Sequence, residues 1–212
     1  MELLVENANK TIRGRRILCD VNLELSGGNI YGFIGRNGSG KTMLFRALSG
    51  LIRLDSGTIS LDGRVLHRDF SVLPSLGLIL ENAGLYPGLT GLENLKYLAK
   101  LTRRVGTEEI RDAIRRVGLD PDDKRTYGKY SLGMKQRLAI AQAVMESPDV
   151  LLLDEPTNAL DESGVEDIRR IITEERDRGA LILLASHNKE DIRVLSDYVF
   201  RIEKGSVSGA EV

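Results

Sequence analysis

Short apolar runs alternate along the chain with longer stretches in which apolar residues recur at helical spacing. The runs Ile30–Ile34, Thr58–Leu61, Leu76–Leu80, Val150–Leu153, Ala180–Ala185 and Tyr198–Ile202 read as strands. Several are apolar at every position, the pattern of a strand covered on both faces. Helical spacing is clearest at Ile110, Ala113, Ile114 and Val117, with Thr107 as the expected N-cap, Glu108 and Glu109 in the first turn and Gly118 beyond the end. Ser163 and Glu166 have capping-box spacing for a helix that Gly179 would close. A further helix is expected from Leu132 to Met145, stopped by Ser147-Pro148. Strands alternating with helices predict an α/β fold with a mostly parallel sheet. Between Asn82 and Tyr130 the strand pattern disappears, which predicts a helical subdomain, residues 82–131, inserted into one core formed by 1–81 and 132–212. Alternation at Leu3–Glu6 and Val21–Leu25 predicts an antiparallel flap at the N-terminal end.

Composition narrows this picture without changing it. The 212 residues fit a single domain, and 30 Lys+Arg against 31 Asp+Glu leave a net charge of −1. That balance argues against nucleic-acid binding by bulk electrostatics. The lone Cys19 can form neither an internal disulfide nor a four-ligand zinc site. The start Met1-Glu2-Leu3-Leu4-Val5-Glu6 lacks the basic and apolar segments of a signal peptide. No apolar run approaches the ~20 residues needed to cross a bilayer. The expectation is a soluble, intracellular protein whose membrane role, if it has one, comes through a partner.

The first candidate chemistry is Gly35-Arg36-Asn37-Gly38-Ser39-Gly40-Lys41-Thr42, a complete G-x-x-x-x-G-K-[ST] motif. It follows an apolar strand and opens a helical stretch that Gly50 should stop, the context such a loop requires. Its glycines let successive backbone N–H groups converge on one anion, and the helix adds its positive end. Lys41 would neutralise the β- and γ-phosphates of a nucleoside triphosphate, and the Thr42 hydroxyl would bind Mg²⁺.

A second cluster is acidic. Asp154 and Glu155 end the apolar strand Val150–Leu153, and ligand sites of open α/β sheets lie at the carboxyl ends of strands. Asp154 is placed to hold Mg²⁺, and Glu155 to orient and deprotonate an attacking water. His187 lies just past another buried-looking strand at the same sheet edge, where it could contact the γ-phosphate. His67, in the polar stretch Leu66–Asp69, reads as structural.

With Ser131-Leu132-Gly133-Met134-Lys135-Gln136-Arg137 ahead of the acidic strand and Ala159-Leu160-Asp161 after it, the chain resembles the ABC-type ATPases over essentially its whole length. The resemblance implies a P-loop NTPase core of RecA-like type. In that family two ATPase domains dimerise head to tail, with ATP between the phosphate loop (Walker A) of one and the signature of the other. On that basis the nucleotide site comprises residues Gly35 to Met43, with Lys41, Glu155 and His187 catalytic and Asp154 as the Walker B aspartate. Ser131 and Gly133 would serve the partner's γ-phosphate, and Asp161 would pack across the interface. The sequence departs from the family pattern in several places. Leu132 stands at the first signature glycine, with Met134 where glutamine is common, and Met43 replaces a threonine after Lys41. Glu81 takes the Q-loop position, where its carboxylate could still reach Mg²⁺. Ile12 aligns with the aromatic that usually stacks on adenine, and losing such a stack removes roughly 1–3 kcal/mol.

The run Glu81–Leu95 and the Ser-Leu-Gly-Met-Lys-Gln signature resemble the bacitracin/lantibiotic-type exporter ATPases. That implies an ATP-hydrolysing subunit of a membrane transporter, with a second ATPase subunit and a separate permease as partners and no direct contact with nucleic acid. It would sit in the cytoplasm, held peripherally at the membrane by the permease. Tyr86, Pro87 and Leu89 are the apolar candidates for that contact. The alternatives are a soluble ABC ATPase acting on DNA or ribosomes and a catalytically weak binding module. The short stretch between Glu81 and Ser131 and the single cassette favour the transporter subunit over the first. Intact Lys41, Thr42, Asp154, Glu155 and His187 argue against the second.

Overall fold

The computed structural model describes residues 1–80 and 84–210. The chain begins with two long antiparallel strands, β1 (Glu2–Ile12) and β2 (Arg15–Ser26), then passes through β3 (Ile30–Ile34) into helix α1 (Lys41–Ser49). Strands β4 (Ser56–Leu61), β5 (Arg64–Val65) and β6 (Leu76–Ile79) follow. Helices α2 (Gly91–Thr102) and α3 (Thr107–Arg116) and a short 3₁₀ turn at Tyr127–Lys129 come next, and then α4 (Leu132–Val144). The remainder is β7 (Val150–Asp154), α5 (Glu162–Asp177), β8 (Leu181–Ala185), α6 (Lys189–Leu195), β9 (Tyr198–Glu203) and β10 (Ser206–Ala210).

Two sheets result. One is antiparallel, in the order β2-β1-β4-β5. The other runs β10-β9-β3-β8-β7-β6 and is parallel except for the β10–β9 hairpin. The parallel strands are apolar throughout because the sheet is covered on both faces. Along β7, Val150 and Leu152 enter a core with α1 and the antiparallel sheet, while Leu151 and Leu153 enter a second core with α2 to α5. β8 divides in the same way, with Leu181 and Leu183 on one side and Ile182 and Leu184 on the other. On its helical face β6 lies so close to α4 that a Cβ on Gly77 would fall 2.2 Å from the Ala143 carbonyl oxygen.

Two helix starts differ from the sequence expectation. The α3 cap is Gly106 rather than Thr107, because the Gly106 N–H donates to the Glu109 carboxylate that reaches back to it (3.0 Å). The α5 cap is Asp161 rather than Ser163. Asp161 Oδ1 accepts the Gly164 N–H at 3.1 Å, which puts Ser163 inside the first turn. Helix α1 ends at Gly50 in a left-handed conformation, as expected. His67 has a structural role, with φ 66° and Nε2 3.4 Å from the Ile52 carbonyl oxygen.

Candidate functional site

Parallel register places the candidate groups together. Phe33 pairs with Ala185, and Ala185 with Asp154, so β3, β8 and β7 end at one level. The segments that follow, Gly35–Gly40, Ser186-His187 and Glu155–Asp161, therefore leave the same sheet edge. The loop after β3 turns through Gly38 (φ 76°) and Gly40 (φ 120°), conformations that side chains rarely adopt. Its outer side is pinned by Gly205, whose N–H donates to the Ser39 carbonyl at 3.0 Å. Lys41, nearly buried, curls back so that Nζ donates to the Gly35 carbonyl at 2.6 Å. Helix α1 has neither a side-chain cap nor an acidic residue in its first turn, so its leading N–H groups face the loop without a competing anion.

Across from the loop, Thr42 Oγ1 donates to Asp154 Oδ2 at 2.5 Å. A hydroxyl and a carboxylate are hard oxygen donors, the set that suits Mg²⁺ when nucleotide phosphates complete the shell. Glu155 follows in the left-handed region, φ 53°, with its N–H given to the Ala185 carbonyl at 2.8 Å. Its carboxylate accepts the His187 backbone N–H at 3.0 Å and faces His187 Nδ1 at 2.7 Å. Gln136 on α4 holds the next peptide by donating Nε2 to the Pro156 carbonyl at 2.8 Å. A cavity of about 630 Å³ is bounded by Asn37, Gly38, Gly40, Lys41, Thr42 and Met43 of the loop and helix, by Asp154 and Glu155, and by Leu132 and Gln136 of α4; His187 touches Glu155 but does not line it.

The remaining sequence candidates occupy defined places. Ser131 caps α4, its Oγ accepting the Met134 N–H at 3.2 Å, and Leu132 beside it is 70 % exposed. Gly133 faces the Ala159 carbonyl, where a Cβ would lie at 3.0 Å. The exposed Asp161 is linked to α4 through Arg137, 3.4 Å away, which also donates to the Val117 carbonyl at 2.7 Å. The Gly164 N–H, then the Ser163 hydroxyl and Arg137, hold the Asp161 carboxyl below the usual aspartate range. Glu81 lies outside the described residues. Tyr86 and Pro87 are exposed, whereas Leu89 is half-buried and its carbonyl receives the Tyr127 N–H at 2.7 Å. Ile12, aligned with the aromatic that stacks on adenine, pairs with Arg15 across the β1–β2 turn and does not line the cavity, whereas Arg15 and Ile17 do. Ala159 of the Ala159-Leu160-Asp161 segment also lines it, as does Asn158, which was not singled out from the sequence.

The model of the ABC transporter family matches residues 18–158. The chain belongs to the ABC transporter family. Among relatives of this ABC protein, YybJ of Bacillus subtilis, an uncharacterised ABC transporter ATP-binding protein, is 47% identical over 98% of this chain and 95% of its own length. The lantibiotic transport ATP-binding protein SrtF of Streptococcus pyogenes is 37% identical over 97% of this chain and 88% of its own. The bacitracin transport ATP-binding protein BcrA of Bacillus licheniformis is 41% identical over 88% of this chain and 62% of its own. A solved ATP-binding subunit of an ABC transporter superposes with a TM-score of 0.87 at 25% identity, covering 99% of this chain and 90% of that one. A dimeric ATP-binding cassette bound to ADP and Pi shares the fold, with a TM-score of 0.87 at 21% identity over 99% of both chains. This ABC protein is therefore an ATP-binding ATPase subunit of a transporter. The transport ATP-binding relatives do not favour the soluble alternative that acts on DNA or ribosomes.

Proposed function

We propose that this subunit powers an exporter by closing on ATP with a second ATPase subunit, head to tail, and reopening after hydrolysis. The supporting observation is one cavity that joins Lys41 and Thr42 to Asp154 and Glu155 while Leu132 of the signature segment forms its rim. In this reading the N–H groups of residues 35–43 and Lys41 hold the phosphates. Thr42 and Asp154, with Glu81, are the residues that would hold Mg²⁺. When bound, the ion would supply positive charge that offsets the negative charge of the phosphates. Glu155 takes the proton of the attacking water, and His187, against the Glu155 carboxylate, orients it and senses the γ-phosphate. Ser131, Gly133 and Asp161 act on the partner's site.

The segment 82–131 works as a helical subdomain that meets the permease. The exposed ring of Tyr86, edge-on to Tyr97, supports that contact. So does a groove of about 390 Å³ lined by Leu51, Ile52, Leu78 to Leu80 and Ala139. No helix among the described residues is long and apolar enough to cross a membrane, so a separate permease, with the subunit peripheral on the cytoplasmic face, completes the proposal. Export follows from likeness to the lantibiotic and bacitracin transport proteins. The test is Glu155→Gln. It should bind ATP, lose about 10²–10⁴-fold in phosphate release, and elute as a dimer with ATP and Mg²⁺. Turnover close to wild type would overturn the assignment of the base.

A further inference from the structure

Where the nucleotide base must lie, the wall carries a cation. With the phosphates held by the loop and Lys41, the cavity continues past Gly38 to Arg15 and Ile17 at the start of β2, and this is the wall left for the base. Three cavities meet there: the one of about 630 Å³ already described, one of about 510 Å³ behind the loop, and one of about 330 Å³ beside Ile17. Arg15 lines all three. Among the described residues that line them there is no aromatic ring, and the Arg15 guanidinium has no hydrogen-bond or ion-pair partner. The acidic groups Asp20 and Glu203 are otherwise engaged, Asp20 facing Arg16 at 3.9 Å and Glu203 facing Arg201 at 3.7 Å, while Arg36 and Lys204 add positive charge to the cavity behind the loop.

A guanidinium is planar and stacks on bases as aromatic rings do, and it carries only donors. Ile17 offers an apolar surface beside it. We propose that Arg15 is the base-contacting residue of this nucleotide site, and that the site accepts GTP nearly as well as ATP. The proposal rests on the nucleotide-binding reading above. Its selectivity half follows from donor and acceptor patterns. Guanine presents two acceptors, N7 and O6, on the edge where adenine presents N7 and a donor, N6. A donor-only contact therefore gives adenine no advantage, and the stacking part serves both purines alike. Discrimination in a binding site is strong only where a buried group would be left unpaired by the wrong ligand.

The experiment is calorimetric titration of the Glu155→Gln protein with ATP, GTP and inorganic tripolyphosphate, each with Mg²⁺. GTP should bind within about threefold of ATP. Arg15→Ala should weaken ATP and GTP by about tenfold and leave tripolyphosphate unchanged, because the lost contact is with the base. Arg15→Lys keeps the charge without the plane and should recover little. Arg13→Ala, which removes a charge from the adjoining turn but not from the cavities, should match the parent. Equal losses for all three ligands in Arg15→Ala would make Arg15 a phosphate contact and overturn the inference. So would unchanged affinities, or a parent preference for ATP of about a hundredfold. Failure of all three ligands to bind the parent protein would instead remove the nucleotide reading on which the inference stands.

Discussion

Asp161 shows how one side chain serves two levels of the structure. Its carboxylate caps α5, accepting the Gly164 N–H and the Ser163 hydroxyl, and it also faces Arg137 from α4. These contacts favour the ionised form, so its folded pKa lies below the unfolded one. The stability it adds is therefore full above the ordinary aspartate value and is lost as pH falls through the depressed one. Asp161→Asn keeps a good cap but cannot titrate. Its melting temperature should fall less steeply than that of the parent on the acid side, in thermal melts recorded across that range, and a parallel fall would refute this account. The glycine-rich turn before α1 was legible in the sequence because its conformation resides in contiguous backbone. The opposition of Glu155 and His187 was legible only as a shared sheet edge, and their direct contact depends on the register of β7 and β8. Arg15, Ile17 and Asn158 could not be read that way, since their presence in the cavity is a product of tertiary placement. The α5 cap was misplaced because Ser163 and Asp161 both had cap-like side chains, and only the observed turn chooses between them.

At the scale of elements, the strands buried on both faces were found within a residue or two, because continuous apolarity has few other uses in a chain of this composition. What escaped was short or polar. β5 has two residues, α6 has seven, and β10 alternates serine with apolar residues at the edge of the sheet. The helical segment was recognised by spacing, but its fixings were not. Thr90 and Glu93 form a reciprocal capping box at the start of α2, with the Glu93 N–H to Thr90 Oγ1 at 3.2 Å and the Thr90 N–H to Glu93 Oε2 at 2.8 Å. One turn on, the buried Asn94 accepts the Tyr86 N–H at 2.7 Å and donates to the carbonyls of Tyr86 and Thr90. These bonds hold the segment carrying Tyr86 and Pro87 against the helix. Thr90→Ala should cost about 1 kcal/mol in urea unfolding. A change indistinguishable from zero would mean that Asn94 carries the loop alone.

The whole molecule is organised as two apolar cores separated by one sheet. Leu151 and Leu152 are adjacent in β7 and both fully buried, yet they belong to different cores. Leu151→Ala and Leu152→Ala should each cost about 2–5 kcal/mol, and the double variant should lose close to the sum because the two cavities open on opposite faces. A strongly sub-additive loss in denaturant titrations would mean that the cores relax together. The fold class was legible because alternation of strand and helix is a long-range signal repeated many times. The division of apolar residues between the two cores required only the two-residue period of a strand, once its place in the sheet was known.

The cap of α4 fixes the polarity of an exposed atom. Ser131 Oγ uses one lone pair on the Met134 N–H, and its own proton has no acceptor among the described residues. A hydroxyl in that state has its proton and one further lone pair left, so it can donate to an anion's oxygen without giving up the cap. A donor at that surface is therefore present as a by-product of starting a helix.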